Sequence, residues 1–331
     1  MPHFQDTSKP NSSIMSNIEK YEQLLKECRL DPYKFFKSRK DFMRDVRIHL
    51  HPDVSPNREA CEKLIKEFSS LESDNLDCSK ISDYRIVRKI RKGDLSEVFV
   101  VEKSNEYFVA KKPVVKSKVY SKKEFEVLTD IRKKFDPKDL YFNAIPQPVE
   151  MVDDTTIFKT SGRADCLDDY ISGDEVIQKY GNKLDSRHIV WMAKRVLALL
   201  ARIHDMGFVN GAITPKHLLF RKPDHGMLCL GWLHSGKIGD TISIIPKEYA
   251  HYYPKETKDS KKLTKDLDIY MLSKSMLDIA GSECHVRIRN FFQSCVNFNM
   301  SMRPDSAGVL YGELVEVSRS VFGTPKFVSL D

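Results

Sequence analysis

Apolar positions recur at helical spacing over three stretches near the start of the chain. In the run IEKYEQLLKECRL, Ile18, Tyr21, Leu24, Leu25 and Cys28 share one face. The helix they predict ends at Asp31-Pro32, because the residue ahead of a proline is pushed out of the helical region. Over residues 38–50, Phe42, Val46 and Leu50 fall every four residues while Lys37, Lys40, Arg44 and Arg47 line another side. That pattern predicts an amphipathic helix with a basic stripe. The turn His51-Pro52-Asp53-Val54-Ser55-Pro56-Asn57 leads to a further amphipathic helix over residues 58–71, carrying Cys61, Leu64, Ile65, Phe68 and Leu71. The two are expected to pack as an antiparallel hairpin. The helical period stops in ESDNLDCSKIS, so residues 1–15 read as a flexible start, 16–72 as a helical domain and 73–82 as a linker.

From Tyr84 the pattern changes to short β-rich runs, YRIVRKI, EVFVVEK and EYFVAKK, separated by Gly-Asp and Ser-Asn turns. A helix is predicted over residues 121–134, strands near 149–152 and 156–158, and mainly helix from Ser186 onward. The fold class is therefore α+β. A helical hairpin precedes a two-lobed body, with a small β-rich lobe at 83–150 and a larger helical lobe at 151–331.

The chain has 331 residues, more than one core usually holds, in keeping with at least two domains. With 41% hydrophobic and 31% charged residues, it has the composition of a globular protein, which excludes wholesale disorder and collagen-like or coiled-coil architectures. The longest apolar run, near Val196 to Leu200, is too short to span a bilayer, and the polar start MPHFQDTSKPNSS lacks the apolar stretch of a signal peptide. No membrane association is expected, and the predicted location is the cytoplasm, that of the host for a viral protein. Cys28, Cys61, Cys78, Cys166, Cys229, Cys284 and Cys295 form no C-x-x-C pair, against both a disulfide framework and a cysteine zinc knuckle.

The net charge of +7 raises nucleic acid as a partner. Acids and bases balance over residues 1–81, however, and the later surplus is spread without aromatic interleaving, so no nucleic-acid surface is expected. His49, His51, His204, His217, His225, His234 and His251 lack a two-ligand spacing with nearby acids, so no metal site is predicted. Trp191 and Trp232 are assigned to the core.

At His51-Pro52-Asp53, which closes the basic helix, the segment DPYKFFKSRKDFMRDVRIHLHPD together with residues 60–71 resembles a J-domain. In that family the His-Pro-Asp turn and the basic helix dock on the seventy-kilodalton heat-shock chaperone and stimulate its ATP hydrolysis. The resemblance implies chaperone-binding roles for His51, Pro52, Asp53, Lys40, Arg44 and Arg47. Pro52 would stiffen the turn, His51 and Asp53 would supply directional polar contacts, and the three cations would steer toward an acidic partner. The plain alternative is a turn that breaks one helix and caps the next. No glycine-phenylalanine linker or cysteine-rich zinc module follows.

Residues 84–315 resemble a protein kinase through ordered landmarks. Arg91-Lys92-Gly93-Asp94-Leu95-Ser96-Glu97-Val98 stands where the glycine-rich loop belongs, with Gly93 alone of three glycines. Val109-Ala110-Lys111-Lys112 matches the V-A-x-K strand, so Lys112 is the implied phosphate-holding lysine and Glu124 its implied ion-pair partner. A surface pair of little energetic worth is the rival reading. In IHDMGFVNGAITPKHLLF, with Pro215 in place, the family's His, Arg and Asp are Asn210, Gly211 and Ala212. His217 replaces the metal-binding asparagine, and the Asp-Phe-Gly triplet reads Gly231-Trp232-Leu233. Losing a general base alone costs roughly 10²–10⁴-fold in rate, and losing the metal clamp removes the main electrostatic stabilisation of phosphoryl transfer.

His204, Glu256, Asp268 and Arg303 match bracing positions. The family pairs that glutamate with that arginine and braces the catalytic loop with the aspartate. The resemblance thus implies a pseudokinase with no catalytic residue. GAITPKHLLF, HGMLCLGW and YAHYYPKE also resemble bacterial and phage proteins in which J-domain and kinase-like modules are fused.

The expected function is a co-chaperone-like adaptor that recruits the heat-shock chaperone through the hairpin and binds a protein client or regulatory partner through the kinase-like body. No cofactor is assigned, ATP without metal being the one left open. The alternative is an atypical transferase that holds ATP through Lys112 and Glu124 and uses Asp224 or Asp240 as a substitute acid. A third reading is an interaction protein, structural or virion-associated, whose His-Pro-Asp is only a turn.

Overall fold

A computed structural model describes residues 12–32, 42–51, 57–74, 80–92, 95–114, 118–242 and 244–330. Lys40, Pro52, Asp53 and Gly93 lie outside the described residues, as do 1–11 of the expected flexible start. The chain divides into two units: Met1–Val114 with Thr160–Ala164, and Val115–Lys159 with Asp165–Asp331.

In the first unit, α1 (Ser12–Leu30), α2 (Phe42–His49) and α3 (Arg58–Asp74) turn their apolar stripes toward one another. Tyr21, Leu25 and Cys28 from α1 meet Phe42, Met43 and Val46 from α2 and Cys61, Leu64 and Phe68 from α3, with Leu50 completing the cluster. Phe68 is fully buried and stands edge-to-face against Phe42 at 5.3 Å. Burying one such ring stabilises by about 1.5–3 kcal/mol, and the ring pair adds to that. α3 begins where Asn57 Oδ1 accepts the Ala60 N–H at 3.1 Å, satisfying one of the free amides of its first turn. Arg44, Arg47 and Ile48 stay exposed on α2.

Four strands follow in an antiparallel meander: β1 (Lys80–Ile81), β2 (Tyr84–Lys92), β3 (Ser96–Lys103) and β4 (Glu106–Pro113). β1 lies inside the stretch read as a linker. The Ser82-Asp83 turn, with Ser82 at φ 49°, folds Lys80 and Ile81 back onto Arg85 and Tyr84. Two paired residues are too few for periodicity to reveal. β3 and β4 are joined by Ser104-Asn105, both at positive φ, the conformation that matches the twist of a two-residue hairpin. Arg85 of β2 ties the helices to the strands, donating from Nη1 to Asp31 Oδ2 at the end of α1 (2.7 Å) and from Nε to Glu102 of β3 (2.9 Å).

In the second unit, α4 (Lys118–Lys134) precedes the hairpin of β5 (Gln147–Val152) and β6 (Thr155–Lys159), which again turns on two positive-φ residues, Asp153-Asp154. β7 (Tyr170–Ser172), β9 (Leu218–Arg221) and β10 (Met227–Cys229) form a sheet in the order β10-β9-β7, and β8 (Phe208–Val209) pairs with β11 (Gly236–Lys237). The helices are α5 (Gly173–Tyr180), α6 (Ser186–Asp205), α7 (Thr257–Ser260), α8 (Lys265–Ala280), α9 (Val286–Cys295) and α10 (Ala307–Phe322). α5 opens in a capping box between Ser172 and Glu175. α6, started by Asp185 accepting from the Arg187 N–H, buries residues all around its middle and packs on α8 and α10. A helix apolar on most sides is stable only inside a core.

Trp232 is fully buried and donates to Cys229 O at 2.7 Å. Trp191 is not the core residue that was expected. It is half-buried and stacks face to face on His225 at 4.0 Å, while its N–H donates to His188 Nδ1 at 3.0 Å. An indole that needs a partner for its N–H sits well at such a boundary. No described helix is long and apolar enough to cross a membrane.

Candidate functional site

Two short strand pairs of the second unit present the loops that matter. β8 runs into residues 210–217, and β10 runs into residues 230–235 before β11. The segments lie together, with the Leu230 N–H donating to His217 O at 2.8 Å.

One side of this arrangement is a brace. Asp268, in the first turn of α8, is fully buried. Its Oδ1 accepts the Gly211 N–H at 2.7 Å, and its Oδ2 accepts the Asn210 N–H at 2.9 Å and lies 3.0 Å from His204 Nε2 at the end of α6. A buried carboxylate is tolerable only when its oxygens are satisfied in this way. Tyr253 Oη donates to Gly211 O at 2.8 Å and Ser275 Oγ to Ile213 O at 2.9 Å. Asn210 accepts from the Ala212 N–H at 3.0 Å and donates to Leu230 O at 3.1 Å, joining the two loops. Burial, reinforced by the Asp268 carboxylate, pushes the Cys229 thiol and the Tyr253 hydroxyl up, so both stay protonated at neutral pH.

The other side is the corner where Ala212, His217 and Gly231 meet. His217 Nδ1 lies 2.8 Å from Ala212 O, so that nitrogen carries the proton and donates it. Gly231 has φ 85°, which favours glycine, and a Cβ placed on it would come within 2.8 Å of His217 Nδ1 and 3.0 Å of Ala212 Cβ. Ala212 is itself buried. The corner therefore has a methyl group and an imidazole nitrogen already committed to a carbonyl, and no space for a side chain at 231. These residues do not fit a magnesium ion, which demands oxygen ligands in near-octahedral array. Among the described residues no three His, Cys, Asp or Glu side chains gather in a way that would hold a metal ion.

A second brace joins Glu256, just ahead of α7, to Arg303, just ahead of α10. The Arg303 guanidinium is buried, also approaches Asp266 at 3.6 Å and stacks on Tyr270 at 4.7 Å. Burial alone would raise the Glu256 carboxyl, but hydrogen bonds from Arg303 and a backbone N–H outweigh it and hold the group below the usual carboxylate range.

The remaining candidates fall elsewhere. Lys112 is exposed on β4 of the first unit, opposite Glu97, which pairs with Lys89 at 2.8 Å. Glu124 is buried on α4 of the second unit. His51, Arg44 and Arg47 are exposed in the first unit. Asp224 is held by Arg221, three residues before it, and Asp240 Oδ2 accepts the Lys237 N–H at 2.9 Å, so each of these acids caps a local turn. Sequence reasoning missed Asn210, Tyr253 and Ser275 as braces. Tyr253 and Ser275 act on carbonyls 42 and 62 positions away, a relation that no local pattern carries.

No family model and no curated protein matches the chain. Among solved structures, the kinase domain of PF14_0431 aligns over 76% of this chain and 98% of its own, with a TM-score of 0.54 and 14% identity. The chain has a kinase-like fold. At that identity the likeness speaks to the fold alone.

Proposed function

We propose that this kinase-fold chain has lost phosphoryl transfer and serves as an adaptor, its second unit binding protein and its N-terminal helices recruiting a seventy-kilodalton heat-shock chaperone. The observation that carries the first half is the packed corner of Ala212, His217 and Gly231. The positions where a kinase places its base and metal ligands hold a methyl group, a committed imidazole and a glycine without room for a side chain. The braces around Asp268 and Arg303 keep the loops in shape, which is what a binding scaffold requires. The recruiting half is supported by α2, whose Val46 and Phe42 enter the helical core while Arg44, Arg47 and the following His51 face solvent.

Incubating the chain with radiolabelled ATP, Mg²⁺ or Mn²⁺ and generic protein substrates tests the first half; no transfer is expected. Transfer that disappears in Lys112→Met would overturn it and restore the transferase reading. Stimulation of a bacterial seventy-kilodalton chaperone's ATPase tests the second half. It is expected from the intact chain and lost in His51→Gln, and equal rates with and without the chain would remove the recruiting role.

A further inference from the structure

Between α9 and α10 the chain displays an ordered apolar knob. Phe298, Met300 and Met302 are 79%, 56% and 66% exposed, three large apolar side chains within five residues. Scattered exposed apolar residues are ordinary, whereas a cluster marks a contact surface. The backbone beneath them is pinned from several directions. Buried Arg303 donates from Nε to Asn297 O at 2.7 Å and from Nη2 to Phe298 O at 3.3 Å. Asn297 Oδ1 accepts the Asn299 N–H at 2.9 Å, and Asn299 Oδ1 accepts both the Ser301 N–H at 3.1 Å and the Ser301 hydroxyl at 2.9 Å. Arg303 is in turn held by Glu256 and Asp266. The apolar side chains are thus presented on a preorganised turn, which lowers the entropy lost on binding.

The charge around the knob leans basic, with Asp305, three residues past Met302, as an exposed acid on the knob's own segment. Lys255 Nζ stands 5.5 Å from the Phe298 ring centroid. Over residues 255–262, Lys255, Lys258, Lys261 and Lys262 are exposed against Asp259 as the exposed acid, because the Glu256 carboxylate is engaged by Arg303. We infer that this knob is a docking surface for an acidic amphipathic helix of a partner protein. The partner's apolar stripe would cover Phe298, Met300 and Met302 while its carboxylates meet Lys255. Thioether side chains adapt to varied apolar surfaces, and the lysine rim selects for acidic neighbours. The basic rim disfavours a second copy of this chain docking knob to knob, since like charges would face each other. The inference does not rest on the loss of phosphoryl transfer.

The test uses the full chain and two fluorescent synthetic amphipathic helices sharing one leucine stripe, one with glutamates and one with lysines on the polar face, read by anisotropy. The glutamate helix should bind. Its affinity should fall about tenfold or more in the doubly substituted Phe298→Ser, Met302→Ser chain and also fall in Lys255→Glu, with the melting temperature unchanged because these side chains are exposed. The lysine helix should not bind. Equal binding of both helices, no binding of the glutamate helix, or unchanged affinity in the variants overturns the proposal. So does a variant-sensitive response seen only with anionic lipid vesicles or only as self-association in sedimentation.

Discussion

The two sides of the loop at residues 210–217 are held by different means. On the Asp268 side the Asn210 and Gly211 amides and the Gly211 and Ile213 carbonyls meet partners from distant elements, α8 and the segment before α7, with His204 of α6 on the same carboxylate. On the Gly231 side the interior is filled by close contact and short-range bonds: a methyl group, a glycine and one imidazole bonded to its own loop. The difference separates shape from chemistry. Groups that set the path of the loop are hydrogen-bonded across elements, while the Gly231 side is filled by small or locally bonded groups.

The largest effect expected from breaking the first side is that of Asp268→Ala. Two buried backbone N–H groups and His204 Nε2 would lose their acceptor at once, a loss of about 3–5 kcal/mol, since each buried donor left unsatisfied costs about 1–3 kcal/mol. Denaturant unfolding of the second unit measures it, and hydrogen exchange at Asn210 and Gly211 localises it. Exchange at these two amides that is no faster in the variant would show that the brace is dispensable.

Arg303→Met comes next, at about 2–3 kcal/mol. Its guanidinium is buried, but the Glu256 carboxylate is partly exposed, so part of the charge effect is screened. This pair also gives a pH dependence. Glu256 is held below the usual carboxylate range, so its contribution is complete above that range and is lost as pH falls through its lowered value in the fold. Stability of the intact chain should therefore decline on acidification more steeply than that of Arg303→Met. Parallel curves would show that the pair contributes nothing to acid sensitivity.

How much of this was legible in the sequence follows from the range of each relation. The helical stripes through Tyr21, Val46 and Phe68 repeat within one element, and all three enter the core. The β3–β4 and β5–β6 hairpins rest on adjacent residues at their turns. β1 was hidden because two residues carry no period, and Trp191 was misjudged because its stacking partner, His225, lies 34 positions onward. At the site, Ala212, His217 and Gly231 each stood out as single residues. Their closeness, and the hydrogen bond that commits His217, depend on how β8–β9 and β10–β11 bring two loops together. The braces from Tyr253 and Ser275 were invisible because a tyrosine or serine carries no signal of which carbonyl it will meet.

The smallest effect probes the closed corner itself. Gly231→Ala should cost about 1–2 kcal/mol, from the positive φ and from the near contacts with His217 Nδ1 and Ala212 Cβ. If crowding by His217 is part of that cost, then Gly231→Ala combined with His217→Ala should be less destabilised than the two single variants summed, by about 0.5–1 kcal/mol. Additive values would mean that backbone strain alone excludes a side chain at 231. In either case, placing acids with Ala212→Asp and Gly231→Asp in a His217→Asn background puts the proposed loss of phosphoryl transfer to a direct test. Phosphate transfer from ATP in that triple variant would show that the chain supports the chemistry once those three side chains are changed. Continued silence with an intact melting transition would show that these three side chains are not by themselves what withholds transfer.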